Sequence, residues 1–337
     1  MCSWVSGSRS PQSTRVHCLQ SERVRAAERI LGCLKGIATG DAVGKQTETL
    51  SHDDVRRWYP HAIRGFEGTP GSVIPRYMGN AKHEWRIGET TDDTERTIAV
   101  ARAIITDRIV SHVSVGREML RCSKSVHPGV KSLWEFHQAA DPTRVATNHD
   151  GCGAAIRVAP VGIFYTSHRL DELQNGAREA AISTHGGSLA IAAAAATAAA
   201  VSAAIDEASP RDVHEVAVRA AAEVAPSFAN AVRTVYDQLE RLPVLRPAEI
   251  AANCFPNQPL TIVPLALGLA TVMQSAEEAI LLAANIGGDS DSVASIAGGI
   301  LGAMYPSTVN TDWYSVVEAI NEHNLVAIAN ELARLRH

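Results

Sequence analysis

A chain of 337 residues, 46% hydrophobic and 20% charged, can bury a substantial core as one large domain or two small ones. The formal net charge is −5 and no long basic run occurs, which argues against a nucleic-acid partner. Aromatics are only 5% while alanine is abundant, favouring helices packed through small side chains over an aromatic-rich β core. The six cysteines form no C-x-x-C pair, so reduced thiols in a cytoplasmic protein are expected rather than a zinc knuckle or a disulfide framework.

Residues 1–22 are polar and aperiodic and lack the apolar stretch of a secretory signal; a flexible tail is expected there, with the folded domain over 23–337. From Arg23 a helical pattern (Val24, Ala27, Ile30, Leu31, Leu34, Ile37, Ala38) leads into Gly36, Gly40 and Gly44, where a neighbouring backbone or a ligand can come close. The stretch ends at Lys45-Gln46-Thr47-Glu48. Residues 49–89 scatter Pro, Gly, Trp and basic residues without periodicity: a long surface excursion with one short helix near Asp53–Trp58.

Thr90-Thr91-Asp92-Asp93-Thr94-Glu95 opens a helix carrying Ile98, Ala101, Ile104 and Ile105 on one face. Alone it reads as an N-cap with acids favouring the helix dipole. Adjacent carboxylates flanked by hydroxyls can equally aim several oxygens at one point beyond the helix start. Farther on, His127-Pro128-Gly129-Val130-Lys131-Ser132-Leu133 is a turn that opens a helix, where N–H groups can hold an anion. In His149-Asp150-Gly151-Cys152-Gly153 through Pro160, Arg157 is expected to pair with a buried acid. Ser183-Thr184-His185-Gly186-Gly187 opens an alanine-rich helix from Ser188 to Ile205, and a histidine at a helix start is expected to be neutral. That helix raises a membrane question, but alanine is a weak membrane residue and Thr197 and Ser202 lie inside it, so a buried core helix and no membrane are expected.

Residues 206–263 read as two more helices with proline-marked joints (Pro210, Pro226, Pro243, Pro247, Pro259), and the last helices as Val293–Met304 and Trp313–Leu335. No strand-like alternation of any length stands out. An all-α fold class is therefore expected. Between apolar runs stands Gly287-Gly288-Asp289-Ser290-Asp291-Ser292, where two glycines precede alternating carboxylates and hydroxyls. A helix cap needs one such residue, and burying a bare carboxylate is costly unless a cation or donor answers it. Hard oxygen donors this close suit Mg²⁺, Mn²⁺ or Ca²⁺ rather than zinc.

Taken together, Thr91-Asp92-Asp93-Thr94 and Gly287 through Ser292 resemble the ADP-ribosylglycohydrolase family, which includes dinitrogenase reductase-activating glycohydrolase and the ADP-ribosyl-acceptor hydrolases. The resemblance spans roughly residues 26–305 and implies an all-α fold, a compact single-domain orthogonal helical bundle around a central pair of Mg²⁺ ions, Mn²⁺ in some members. It implies metal ligation by Thr91, Asp92, Asp93, Asp289, Asp291 and Ser292, with Asp291 bridging. Gly40-Asp41 through Glu48 is similar to the family's G-D-x-x-G-x-x-x-E segment, which implies the acid/base role for Glu48 and, for Asp41, contact with the loop or with a substrate hydroxyl. Gly129, Val130, Lys131 and Ser132 align loosely with the family's pyrophosphate loop, and Gly151, Gly153 and His185 with its substrate-binding positions. Two departures stand out: Cys152 where asparagine is usual, and Ser292 where threonine is more frequent. Read on residue type alone, Glu48 is a solvated loop acid and His185 a structural histidine.

The implied activity is hydrolysis of an N- or O-glycosidic bond at C1 of an ADP-ribosyl group, on a protein side chain or a metabolite. A hydrolase of another small riboside and a non-catalytic ADP-ribose binder are the alternatives. Asp289-Ser290-Asp291-Ser292-Val293 also fits the D-x-D-x-[TV] motif of haloacid-dehalogenase-like phosphatases, but the short remainder of the chain lacks that fold's lysine and acid pair. An EF-hand fails because Val293 and Ala294 stand where a ligand and a glycine are required.

Overall fold

Small residues and prolines set the architecture. The computed structural model describes residues 11–68, 77–78, 81–82, 84–124, 141, 143–254 and 258–337. Helix α1 (Pro11–Gly44) starts well before Arg23 and closes in a 3₁₀ turn, Lys45–Thr47. In the excursion lie α2 (His52–Trp58) and a minimal antiparallel hairpin, β1 (Tyr77–Met78) and β2 (Ala81–Lys82), pairing Tyr77 with Lys82. Next come α3 (Asp92–Asp107), α4 (His112–Met119), α5 (Gly153–Ile156), α6 (Ala159–Phe164), α7 (Leu170–Ile182) and α8 (Ser188–Ile205). The rest is α9 (Pro210–Ala222), α10 (Pro226–Glu240), α11 (Pro247–Ile250), α12 (Pro259–Val272), α13 (Ala276–Ala284), α14 (Ser290–Met304), α15 (Thr311–Asn321) and α16 (Leu325–Leu335).

Two expectations need correction. Residues 206–263 hold more than two helices, because Pro210, Pro226, Pro247 and Pro259 each start one: a first-turn proline lacks only an N–H that the helix leaves unpaired anyway. The helix expected over Trp313–Leu335 is broken into α15 and α16 by Glu322 and Asn324, both left-handed at φ 53° and 58°. The break docks on the start of α3. Asn321 accepts from Thr90 N (3.1 Å) and donates to Gly88 O (2.8 Å), and His323 Nε2 lies 2.8 Å from Thr90 Oγ1.

Helix α8 is packed by α5, α6, α7 and α9. Its alanines from 192 to 200 are essentially inaccessible, which explains a helix with no polar face. Ser202 satisfies its hydroxyl on Tyr165 O (2.6 Å). The helix is long and apolar enough to cross a membrane, yet 83% of it is buried within the fold.

Helices α1 and α14 form the most extensive helix pair, and they touch backbone to backbone. Gly32, Gly36, Gly40 and Gly44 face Gly302, Gly298, Ala294 and Ser290, every fourth residue running in opposite directions. A Cβ on these four glycines would stand 2.1, 2.0, 2.3 and 2.5 Å from the facing carbonyl oxygens. The glycines that invite close approach thus receive a neighbouring helix, and the register delivers the end of α1 to the start of α14. Ser290 Oγ seals the junction by donating to Gly44 O (2.9 Å), and Thr47 Oγ1 by donating to Ala284 O (2.6 Å).

Alanine in place of glycine inside a helix ordinarily raises stability by about 1 kcal/mol. At Gly36 the sign is expected to reverse, Gly36→Ala costing about 1–3 kcal/mol through overpacking. Equilibrium unfolding in urea decides the matter, and a stabilised variant would contradict the backbone contact.

Candidate metal centre

The first acid motif is held from behind. Asp41, fully buried in the last turns of α1, accepts from Thr91 N (3.0 Å), Thr94 N (3.1 Å) and Thr94 Oγ1 (2.5 Å). Asp41 therefore occupies the N-terminus of α3, where a carboxylate is favoured, and is not among the residues lining the cleft described below. These bonds hold the start of α3, in keeping with one of the two roles expected for Asp41. Thr91 is the N-cap of α3, its Oγ1 accepting from Asp93 N (3.2 Å). With the cap supplied by Thr91 and Asp41, Asp92 and Asp93 are left to line the cleft.

The second motif is turned toward the first by glycine. Gly287 and Gly288 adopt φ of 90° and 70°, which side-chain-bearing residues rarely do. Asp289 stands at the N-cap of α14 without making a capping hydrogen bond, so capping does not account for it. Ser292 Oγ donates to Asp93 Oδ2 (3.2 Å), joining motifs 199 residues apart. The loop after Glu48 is stitched to the same glycine turn by reciprocal main-chain hydrogen bonds, Thr49 N to Gly288 O (2.7 Å) and Gly288 N to Leu50 O (2.8 Å). One carboxylate oxygen from each of Glu48, Asp289 and Asp291 falls within 4.8 Å of the others.

These acids line a cleft of about 460 Å³ together with Arg96, His149, Asp150, Gly151, Cys152, Gly153, His185 and Gln258. A larger cavity of about 1010 Å³ opens between α2, α13 and the α10–α11 link, but its acids, Asp53 and Glu278, are exposed and form no such cluster.

Burial pushes the Asp93 and Asp291 carboxyls well above the ordinary carboxylate range. Neighbouring acids push further, Asp41 and Asp92 acting on Asp93, Glu48 and Asp93 on Asp291. Burial and the Glu48 carboxylate raise Asp289 to about 6. Among the described residues, Arg96 pairs with Asp92 (3.2 Å) and Lys45 with Glu48, while Asp93, Asp289 and Asp291 form no ion pair. Buried carboxylates of this kind need a cation to remain charged together. Hard oxygen donors at this spacing fit a divalent metal ion.

The opposite wall is built on His185. Arg157, completely buried, donates to Ala180 O (2.9 Å), Ala181 O (3.2 Å), Gly153 O (2.7 Å) and Thr184 Oγ1 (2.7 Å). The acid partner expected for Arg157 is thus replaced by carbonyls at the C-terminal end of α7, where a cation is favoured. Thr184 Oγ1 in turn lies 2.7 Å from His185 Nδ1, fixing the ring against His149 at a centroid distance of 4.6 Å. Side chains are not accommodated beside that ring. A Cβ on Gly151 would stand 2.8 Å from His185 Nε2, and one on Gly153 2.8 Å from its Cε1. Burial raises the Cys152 thiol, so a neutral SH faces the cleft. Asp150 accepts from Ala190 N (3.0 Å) at the start of α8.

The cleft thus gathers Glu48, Asp92, Asp93, Asp289, Asp291, Ser292, Gly151, Gly153 and His185, with Thr91 directly behind; Gly129 and Ser132 lie outside the described residues. Arg96, His149, Asp150 and Gln258 were not anticipated there. Arg96 had a signal in its four-residue spacing from Asp92 on a helix; Gln258 had none.

A profile of the ADP-ribosylglycohydrolase family matches residues 22–337. The chain belongs to the ADP-ribosylglycohydrolase family. It is 29% identical over 282 residues to an uncharacterized protein of Archaeoglobus fulgidus, covering 82% of this chain and 87% of that one. It is 24% identical over 362 residues to the ADP-ribosylhydrolase ARH3 of Bos taurus, covering 93% and 95%. A solved ADP-ribosylglycohydrolase-related protein complex contains a chain of the same fold, with a TM-score of 0.73 at 24% identity over 93% of this chain and 99% of that one. An ADP-ribosylglycohydrolase hydrolyses ADP-ribose linkages, and the acidic cleft is where this chain can hold a metal ion.

A raised carboxyl pKa means that the folded state holds more protons than the unfolded one between the two values. Stability therefore falls as pH rises through that interval. For Asp289 the interval runs from 3.8 to about 6. In EDTA, the melting temperature of the wild type is expected to drop, relative to Asp289→Asn, as pH is raised from 4 to 6.5. A divalent cation restores it at the upper end. Parallel melting curves at every pH would contradict the buried charge.

Proposed function

We propose that the protein is a Mg²⁺-dependent hydrolase that cleaves the glycosidic bond of an ADP-ribosyl group carried by a protein side chain or a metabolite. The observation that carries this reading is the meeting of Asp93 with Ser292, which brings the α3 and α14 acids to one cleft beside Glu48. In this reading Thr91, Asp92, Asp93, Asp289, Asp291 and Ser292 would hold two Mg²⁺ ions, with Mn²⁺ as a substitute. Bound there, the ions supply charge stabilisation near the anomeric carbon and orient the attacking water.

The protein's own groups do the rest. Glu48, partly exposed at the cleft edge, transfers the proton between water and leaving group. Gly151 and Gly153 keep the wall beside His185 open to a sugar ring, and the neutral Cys152 thiol offers a weak contact where an amide is usual. Asp41 acts from behind by orienting α3. Gly129 and Ser132 are assigned the diphosphate. The buried thiols Cys33 and Cys122 suit the cytoplasmic setting proposed with this activity.

The test is a panel of ADP-ribosyl-arginine, ADP-ribosyl-serine and O-acetyl-ADP-ribose substrates, each with Mg²⁺ and with EDTA. Release of ADP-ribose from at least one, abolished by EDTA, is expected. Equal release in EDTA rejects the metal-dependent reading, and turnover confined to a simpler riboside redirects it to a small-riboside hydrolase. Glu48→Gln is expected to lower kcat by roughly 10²-fold or more while substrate binding persists. Undiminished turnover would remove Glu48 from the proton transfer.

A further inference from the structure

One basic side chain stands against the acid cluster without lining the cleft. Lys45 begins the 3₁₀ turn that ends at Glu48, and its ammonium pairs with the Glu48 carboxylate. The same ammonium lies 4.8 Å from the centroid of the Trp85 ring, within cation–π range. It borders a small cavity of about 30 Å³ lined also by Phe66 and Trp85. Lys45 therefore has two seats, a carboxylate on one side and an indole on the other.

The frame between Lys45 and Glu48 is fixed. Gln46 donates to Val43 O (3.0 Å) and Gly65 O (2.8 Å) and accepts from Glu67 N (2.7 Å) and Gly68 N (2.9 Å). Thr47 is anchored to Ala284 and Ser290. Glu48 is also one of the three acids whose oxygens converge within 4.8 Å, and the charge of Lys45 reaches a second, Asp291. A dication held by the neighbouring Asp289 and Asp291 and an ammonium on Glu48 would repel one another as like charges.

We infer that Lys45 is a displaceable counter-ion of the acid cluster: it neutralises Glu48 when no divalent cation is bound, and it moves onto the Trp85 ring when one binds. The device, which rests on the metal-dependent reading above, lowers the affinity of the site for its metal. It also ties ion binding to release of the Glu48 carboxylate.

The test is isothermal titration calorimetry of Mg²⁺ into the EDTA-stripped full chain, in wild type, Lys45→Met and Lys45→Arg, with melting curves to verify folding. Lys45→Met removes the charge and keeps the length, so its Kd for Mg²⁺ is expected to fall about tenfold. Lys45→Arg keeps the charge and should stay within twofold of wild type. A Mg²⁺-dependent change in tryptophan fluorescence is expected in the wild type and should shrink in Lys45→Met. A folded Lys45→Met with an unchanged or weaker Kd overturns the inference, because a lysine that merely braces Glu48 would weaken the site when lost. Should Lys45→Met fail to fold, Lys45→Gln takes its place with the same criteria. Absence of Mg²⁺ binding in all three proteins instead sinks the metal-dependent reading, and the role of Lys45 with it.

Discussion

The contact of α1 with α14 is the constraint on which the remainder depends. Helices usually meet through interleaved side chains at axis separations of about 8–10 Å. Here glycine, alanine and serine bring carbonyl oxygens to within 2.0–2.5 Å of where a Cβ would stand on the facing chain. Such an interface has little freedom to slide. It ends at Gly44 and Ser290, so the 3₁₀ turn bearing Glu48 and the turn bearing Asp289 emerge side by side. The third contributor, the start of α3, is attached to the same helix by the Asp41 carboxylate. One long helix thus orients all three sources of acid.

That arrangement places charge in a position hostile to it. Asp93 and Asp291 are 4% and 3% exposed, without a basic partner among the described residues, and their carboxyls are displaced upward by burial and by one another. Folding pays for such a cluster only if the surroundings are otherwise well satisfied. Around it, Asp41 accepts several hydrogen bonds, Arg157 donates to three carbonyls and a hydroxyl, and the alanines of α8 are buried. The cleft is where the electrostatic demand is concentrated, and a metal ion could answer it.

Much of this was legible in the sequence because the informative signals are local. Thr91-Asp92-Asp93-Thr94 and Gly287 through Ser292 are short, and each announces a helix start with more oxygens than a cap requires. The buried alanine helix follows from composition in the same way, whereas the prolines of 206–263, read as joints between two helices, each start a helix. What escaped were relations between distant segments. Arg157 reads as a residue in need of an acid, whereas its partners are main-chain carbonyls that no residue type reveals. Asp41 reads as facing either a loop or a ligand, and its hold on a helix start 50 residues onward is not announced by either segment. The break at Glu322 and Asn324 is invisible to helical periodicity, since it is stabilised by Gly88 and Thr90 rather than by its own neighbours.

The fourfold spacing of glycines along α1 makes that helix a ruler. From Gly32 to Gly44 it measures about 18 Å at 1.5 Å per residue, and every mark must coincide with one on α14. Inserting or deleting a single residue within that span would rotate the later marks by about 100° and point the glycines away from their partners. Sequence drift by substitution on the outer faces leaves the gauge intact, whereas a change of length anywhere along it would misalign the acid-bearing end from the far side of the molecule.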